Sequence, residues 1–267
     1  MAYLEWGDAR NNDVLICAHG LTRTGRDFDN LAGALAEHYR VVCPDIAGRG
    51  DSEWLQDPAF YVVPQYVSDM VTLIARLDVA AVHWLGTSLG ALVGLGLAAQ
   101  KGSPVSKLVL NDAGPILAKA ALERIRAYVG SDPVFPGIEQ AEAYVRTVSA
   151  PFGPHSDAEW RFLTDTVVRR RPDGGLRLHY DPRIAYPLQQ NPPKEDMNLW
   201  SYYDAVICPT FVLRGEHSDL LSRDTCRQMS ERGPKARTVE IAGVGHAPTL
   251  LHADQIEIVR GFLLSES

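Results

Sequence analysis

A chain of 267 residues, 46% of them hydrophobic, is long enough for one large α/β domain or for a core domain carrying an insertion, and it needs no staple to bury its core. The formal net charge is −7 and the one basic run is Arg169-Arg170-Arg171, which excludes the basic face of a nucleic-acid binder. No stretch of about 18 uncharged apolar residues exists, so no membrane span is expected. The four cysteines form no C-x-x-C pair, and the N-terminus lacks a basic segment followed by an apolar one. We therefore expect no metal, a cytoplasmic setting, and Cys17 and Cys43 as small core residues.

In chain order, Tyr3 to Trp6 reads as a short first strand, and Val14-Leu15-Ile16-Cys17-Ala18 as a strand buried on both faces. That strand ends in His19-Gly20-Leu21-Thr22. From about Asp27, Phe28, Leu31 and Leu35 recur at helical spacing. Val41-Val42-Cys43 is the next strand and runs into Pro44-Asp45-Ile46-Ala47-Gly48-Arg49-Gly50-Asp51-Ser52, a loop dense in turn residues, where Asp45 is expected to bond local backbone. Pro64 to Asp78 is a helix with proline in its first turn.

A strand over 80–85 then meets Gly86-Thr87-Ser88-Leu89-Gly90, followed by a uniformly apolar helix over 91–99. Strand, G-x-S-x-G and helix together make the context in which this pattern signals a nucleophile on a sharp turn. Gly90, Gly94 and Ala98 recur every fourth residue, placing small groups on the helix face that meets the sheet. Further strands follow at 107–111, 209–214 and 237–241, with a last helix over 254–264. Short apolar strands alternating with helices predict a mostly parallel sheet with helices on both faces.

The alternation breaks between Pro115 and Tyr203. This segment holds half of the 22 aromatic residues, and its Lys and Arg balance its Asp and Glu. An uncharged, aromatic-rich insertion that leaves the sheet just after a strand is expected to be a helical cap over the strand ends, where ligands of open α/β sheets bind. The expected division is a core of 1–114 and 204–267 with a cap insertion of 115–203.

A serine hydroxyl needs a base, and the base needs a third group to orient it. The base expected for Ser88 is His246, in Gly243-Val244-Gly245-His246, just after the last strand. His83 lies inside a strand, and His19 is expected to shape its own loop. The acid is expected between Ser88 and His246 in chain order, at a strand end. Asp219, in Gly215-Glu216-His217-Ser218-Asp219, is the expected acid, with Glu216 and Asp112 as alternatives. Asp112 also ends a strand at the same sheet edge, and its plain role is to cap a turn. Two backbone amides, those of Leu21 and Leu89, are expected to form the oxyanion hole. Thr22 either adds a hydroxyl donor or caps the following helix.

With these parts in order, the chain resembles the α/β-hydrolase superfamily over nearly its full length. The resemblance rests on His19-Gly20, the Pro44-Asp45 to Ser52 loop, the Gly86 to Gly90 elbow, the Gly215 to Asp219 loop and Gly245-His246. It implies an eight-stranded mostly parallel sheet, an α-helical cap, no cofactor, and a triad of Ser88, Asp219 and His246. Haloalkane dehalogenases and epoxide hydrolases of this fold carry aspartate where Ser88 stands, so the resemblance points away from them and toward esterases, lactonases and carbon–carbon hydrolases.

The function expected is hydrolysis of a small-to-medium carboxylic ester or lactone through an acyl-enzyme on Ser88, with a small-molecule acyl substrate and neither nucleic acid nor membrane as a partner. One alternative is hydrolysis of a carbon–carbon bond in a ring-cleavage dienoate, for which Arg169 to Arg171 would bind a carboxylate unless they form a solvated helix face. The other is a ligand receptor or binding module with vestigial activity.

Overall fold

Apolar runs without polar alternation become central strands only if helices cover both faces of the sheet, and this chain builds that arrangement. The computed structural model describes residues 1–172 and 174–265; Asp173 and the last two residues of the 204–267 portion lie outside them. The first part contains β1 (Tyr3–Trp6), β2 (Val14–Ala18), α1 (Asp29–Leu35), β3 (Arg40–Pro44), α2 (Val63–Leu77), β4 (Val82–Thr87), α3 (Leu89–Ala98) and β5 (Val105–Asn111). The segment over 115–203 contributes β6 (Ile116–Leu117), α4 (Lys119–Tyr128), β7 (Val134–Phe135), α5 (Ile138–Val148), α6 (Asp157–Asp165), β8 (Val168–Arg170), β9 (Leu176–Leu178), α7 (Tyr186–Gln190), β10 (Met197–Asn198) and α8 (Trp200–Ala205). The chain then returns through β11 (Thr210–Gly215), α9 (Arg223–Glu231), β12 (Arg237–Ile241) and α10 (Ala253–Leu263).

The main sheet has the order β1-β3-β2-β4-β5-β11-β12. Only the β1–β3 pair is antiparallel; the other pairs are parallel. Among the described residues the sheet therefore has seven strands rather than the eight implied by the family resemblance, because a single strand, β1, precedes β2. Strand periodicity divides the core in two. Ile16, Trp84 and Leu108 pack with Met70 of α2 and Val93 of α3, whereas Leu15, Leu85 and Val109 pack with Leu31 of α1 and Phe262 of α10.

Helix α3 is apolar on every side because it lies between the sheet and α2. Its small residues permit that depth: a Cβ on Gly94 would overlap the Trp84 indole, and one on Gly90 would overlap the Ala18 carbonyl. The buried Trp84 Nε1–H donates to the Gly90 carbonyl at 3.0 Å, so the indole is satisfied and also pins the first turn of α3.

The inserted segment is not purely helical. Strands β7, β9 and β8 form a small antiparallel sheet, and β6 pairs with β10. Arg169 and Arg170 consequently lie on a strand, not on the expected helix face. The Arg169 guanidinium sits 5.4 Å from the Trp54 ring centroid, a cation–π contact. No helix among the described residues is long and apolar enough to cross a membrane.

Candidate active site

Five loops, those after β2, β4, β5, β11 and β12, meet at the C-terminal ends of parallel strands, the edge at which open α/β sheets bind ligands. Ser88 occupies the turn between β4 and α3 with φ 52° and ψ −110°, a conformation costly for a residue with a side chain. Its neighbours make this turn possible. A Cβ at Gly86 would collide with the Gly90 backbone, so the turn closes only with glycine there. The Ser88 N–H donates to the Asn111 carbonyl (3.0 Å) and the Gly90 N–H to that of His19 (3.2 Å), which fixes the elbow between β5 and β2.

The Ser88 hydroxyl lies 2.8 Å from His246 Nε2, and His246 Nδ1 lies 2.7 Å from Asp112 Oδ2. A carboxylate only accepts, so Nδ1 carries the proton and donates it to Asp112, leaving Nε2 to accept from Ser88. Ser88 and His246 thus meet as their spacing predicts, but Asp219 does not join them. Its carboxylate takes two hydrogen bonds from Arg124, Nε to Oδ2 at 2.5 Å and Nη2 to Oδ1 at 2.8 Å, and it is 47% exposed. The carboxylate against His246 is that of Asp112, which is wholly buried.

The sheet register explains this correction. β5 and β11 are adjacent parallel strands, so the residues after each reach the same edge. The Asp112 N–H donates to Leu213 O at 2.8 Å, tying the two strand ends together. Asp112 sits at φ 55°, a left-handed conformation that Asp adopts more readily than most residues and that turns its side chain inward. Two further donors satisfy its carboxylate: Gly215 N–H on Oδ1 (2.8 Å) and Ser218 Oγ–H on Oδ2 (2.7 Å). The loop after β11 therefore contributes donors to the acid instead of the acid itself.

Glu216 does not touch His246 either. Its Oε2 accepts from Gly243 N–H at 2.8 Å and so steadies the loop that carries the histidine. Asn111 braces the far side, donating through Nδ2 to Thr87 Oγ1 (2.9 Å) and to Pro248 O (2.8 Å).

The loop after β2 is held by buried side chains. His19 Nε2 accepts from Ile46 N–H (3.0 Å), which places the proton on Nδ1, where it donates to Gly20 O (2.7 Å). Full burial pushes the His19 pKa down to about 3 and keeps the ring neutral. Arg49 is equally buried, and its Nε donates to Leu21 O at 2.8 Å, fixing the peptide that follows Leu21, while His19 holds the one before it. Leu89 opens α3, where the first amides have no partners within the helix. Thr22 borders the cavity above Ser88 and does not cap the next turn; the residue at that N-cap is Thr24, whose hydroxyl donates to Thr166 O at 2.9 Å. As expected of a structural residue, Asp45 accepts from Gly25 and Asp51 N–H groups (2.8 and 2.9 Å).

Ser88 and His246 open into a cavity whose far wall comes from the inserted segment, through Ile125, Tyr128, Tyr144, Val148, Phe152, Leu163 and Tyr180 among others. Arg23 and Asp27, paired at 2.6 Å, and Arg124 supply its charges. Arg169 to Arg171 are not part of the lining, which removes the feature that favoured a carbon–carbon hydrolase. Among the described residues no cluster of His, Cys, Asp and Glu has the geometry to hold a metal.

Asp112 had a turn-capping reading open to it, yet the stronger signal was its setting. It is one carboxylate set between a strand with an apolar centre, Leu108-Val109-Leu110, and Ala113-Gly114-Pro115, whereas Asp219 follows Glu216 and His217 in a polar loop. Nothing in the pattern marks Arg49, Asn111 or Ser218, whose partners lie far away in sequence.

A serine, a histidine and an aspartate in hydrogen-bonded series on the C-terminal edge of a doubly wound sheet are the arrangement of a hydrolytic class of α/β protein. Comparison with known proteins agrees. The model of the alpha/beta hydrolase family matches residues 15–257. A 3-hydroxybutyrate-oligomer hydrolase of Cupriavidus necator is 52% identical over 269 aligned positions, covering 98% of this chain and 92% of that protein. The crystal structure of a putative hydrolase from Rickettsia typhi aligns with a TM-score of 0.93 at 31% identity, over 99% of this chain and 91% of that one. An alpha/beta hydrolase from Novosphingobium aromaticivorans gives 0.88 at 35% identity, over 98% and 92%. The chain belongs to the alpha/beta hydrolase family, and it is a hydrolase.

Proposed function

We propose that the protein is a serine esterase whose substrates are short oligoesters of hydroxy acids such as 3-hydroxybutyrate. The observation that carries the chemistry is the continuous series Ser88 Oγ, His246 and Asp112, with separations of 2.8 and 2.7 Å, at the floor of a largely apolar cavity. The substrate class comes from the likeness to the Cupriavidus necator protein.

In this reading His246 Nε2 removes the Ser88 proton as Oγ attacks the ester carbonyl, and Asp112 stabilises the imidazolium that forms. The developing oxyanion is met by the amides of Leu21 and Leu89, and the His19 and Arg49 hydrogen bonds set the Leu21 peptide beforehand. His246 returns the proton to the departing alcohol. Water, activated by the same imidazole, then releases the acid from Ser88. Neither metal nor cofactor is needed for these steps. Residues 115–203 act as the cap over a core made of 1–114 and 204–267, and set the length of acyl chain that fits. Four unpaired cysteines suit a reducing, cytoplasmic setting.

The test is release of monomer from the 3-hydroxybutyrate dimer and trimer, run beside titration with an alkyl phosphonate ester. One phosphonyl group per chain, located on the Ser88 peptide by mass spectrometry, should abolish turnover. Undiminished turnover by the fully labelled protein, or a label confined to another residue, would defeat the proposal.

A further inference from the structure

The cavity has an unbalanced charge. Arg23 and Asp27 both border it and neutralise one another, Arg23 Nε and Nη2 meeting the Asp27 carboxylate at 2.6 to 3.1 Å while Nη2 also donates to Leu163 O at 3.1 Å. Arg124 borders it too, but its partner Asp219 does not. The Arg124 and Asp219 side chains are 36% and 47% exposed, so water screens both, and the carboxylate somewhat more. Among the side chains that border the cavity, positive charges therefore exceed negative ones by one, with Asp219 offsetting Arg124 from outside the lining. A low-dielectric cleft of one sign focuses its field on an oppositely charged ligand.

The hydrogen-bonding geometry agrees. Asp219 occupies Nε and one proton of Nη2, which leaves the Nη1 edge of the fork outside that pair. Tyr128, one helical turn along α4, sets its hydroxyl beside the same guanidinium and also borders the cavity. The phenol oxygen accepts from the guanidinium and keeps its own O–H, so the pair retains donors suited to a carboxylate.

Resting on the esterase reading above, we propose that Arg124, supported by Tyr128, is a specificity-determining residue that binds a free carboxylate at the end of the substrate. The enzyme would then act on oligoesters from their carboxyl terminus and discriminate against esters in which that end is blocked. Asp219 is not needed for recognition in this scheme: it pairs with the guanidinium from outside the cavity, and as a carboxylate it opposes the binding of another.

The experiment compares the 3-hydroxybutyrate dimer, an anion at neutral pH, with its methyl ester. Wild type should show a higher kcat/KM for the anion, and Arg124→Gln should lower the anion-to-methyl-ester ratio about 10- to 100-fold, mainly through KM. Arg124→Lys should restore part of the ratio. Calorimetric titration in the Ser88→Ala background should show the same ratio in Kd, which separates binding from turnover. Asp219→Asn distinguishes recognition from a mere tie between α4 and the loop after β11. Recognition predicts a ratio equal to or above wild type; a tie predicts the loss seen with Arg124→Gln. A ratio unmoved by Arg124→Gln, or lost equally in Asp219→Asn, overturns the proposal and leaves the esterase reading intact. A wild type that cleaves neither ester overturns both.

Discussion

Asp112→Asn is expected to lower kcat on a simple ester by about 10⁴-fold, the magnitude known for the equivalent change in a serine protease triad, while Asp219→Asn changes it by less than about three-fold on an uncharged ester. The large effect follows from the donor count at Asp112. Its carboxylate accepts from Gly215 N–H on one oxygen and from Ser218 Oγ–H and His246 Nδ1–H on the other. An asparagine offers one oxygen and one NH₂. If the oxygen stays on the Gly215 amide, the NH₂ faces His246 and donates to Nδ1. The proton then shifts to Nε2 and points at Ser88, so the imidazole no longer accepts the serine proton. If the amide is flipped, two N–H groups oppose each other at Gly215 inside a fully buried site, which costs about 1–3 kcal/mol. Steady-state kinetics on both variants, with unfolding midpoints to verify folding, decides the matter. Loss of activity in Asp219→Asn comparable to that in Asp112→Asn would restore Asp219 as the acid.

Much of the fold was legible because the physics that decides it is local. The fully apolar run at 14–18 and the apolar centre of 105–111, Leu108-Val109-Leu110, read as central strands, and Gly86, Gly90 and Gly94 mark the close approaches that the structure contains. The acid was harder because two strand ends were available and adjacent. β11 follows β5 in the sheet order, so Asp112 and the 216–219 loop come to one place from positions about a hundred residues apart. Sequence names the residues at a strand end; it does not say which of two neighbouring side chains points inward. That choice is made by backbone conformation, φ 55° at Asp112, and by the donors waiting there.

The inserted segment was less legible still. Its short strands are two or three residues long, below the length at which alternation becomes a signal. Both readings of 169–171, a solvated helix face and a carboxylate site, miss the structure: Arg169 packs on Trp54 from a strand, and Arg124 is the cation that borders the cavity with its partner outside the lining. The same long-range character hides Arg49. It is a fully buried cation in a glycine-rich loop, donating to Leu21 O, Ala47 O and the Tyr66 hydroxyl with no carboxylate among these partners. Its guanidinium lies 5.1 Å from the Tyr66 ring centroid and 5.7 Å from that of Tyr61. Aromatic faces and carbonyls thus accommodate a charge that would be very costly to bury alone.

The loop that Arg49 and His19 hold should also be the protein's acid-sensitive point. His19 is depressed by burial to about 3 from an unfolded value of about 6.5, and His83 to about 4. Between the folded and unfolded values the unfolded chain binds protons that the folded chain does not, so stability increases with pH and is lost as pH falls below about 6.5. His19 alone should remove about 2 kcal/mol between about pH 7 and pH 5; His83, half-buried and partly screened by solvent, adds less. Asp29 and Asp45 are raised by burial and act with the opposite sign as they protonate, so the histidine slope is read above the carboxylate range. The structural cause is specific. A proton on His19 Nε2 would set it against the Ile46 N–H it now accepts, breaking the tie between the loops after β2 and β3 beside the Leu21 amide. Urea unfolding carried from pH 7 down to pH 5 should therefore show a falling midpoint at unchanged m-value. His19→Gln, less stable at neutral pH, should lose about one proton's worth of that slope. An identical slope in wild type and His19→Gln would mean that His19 is not the group whose protonation opens the site.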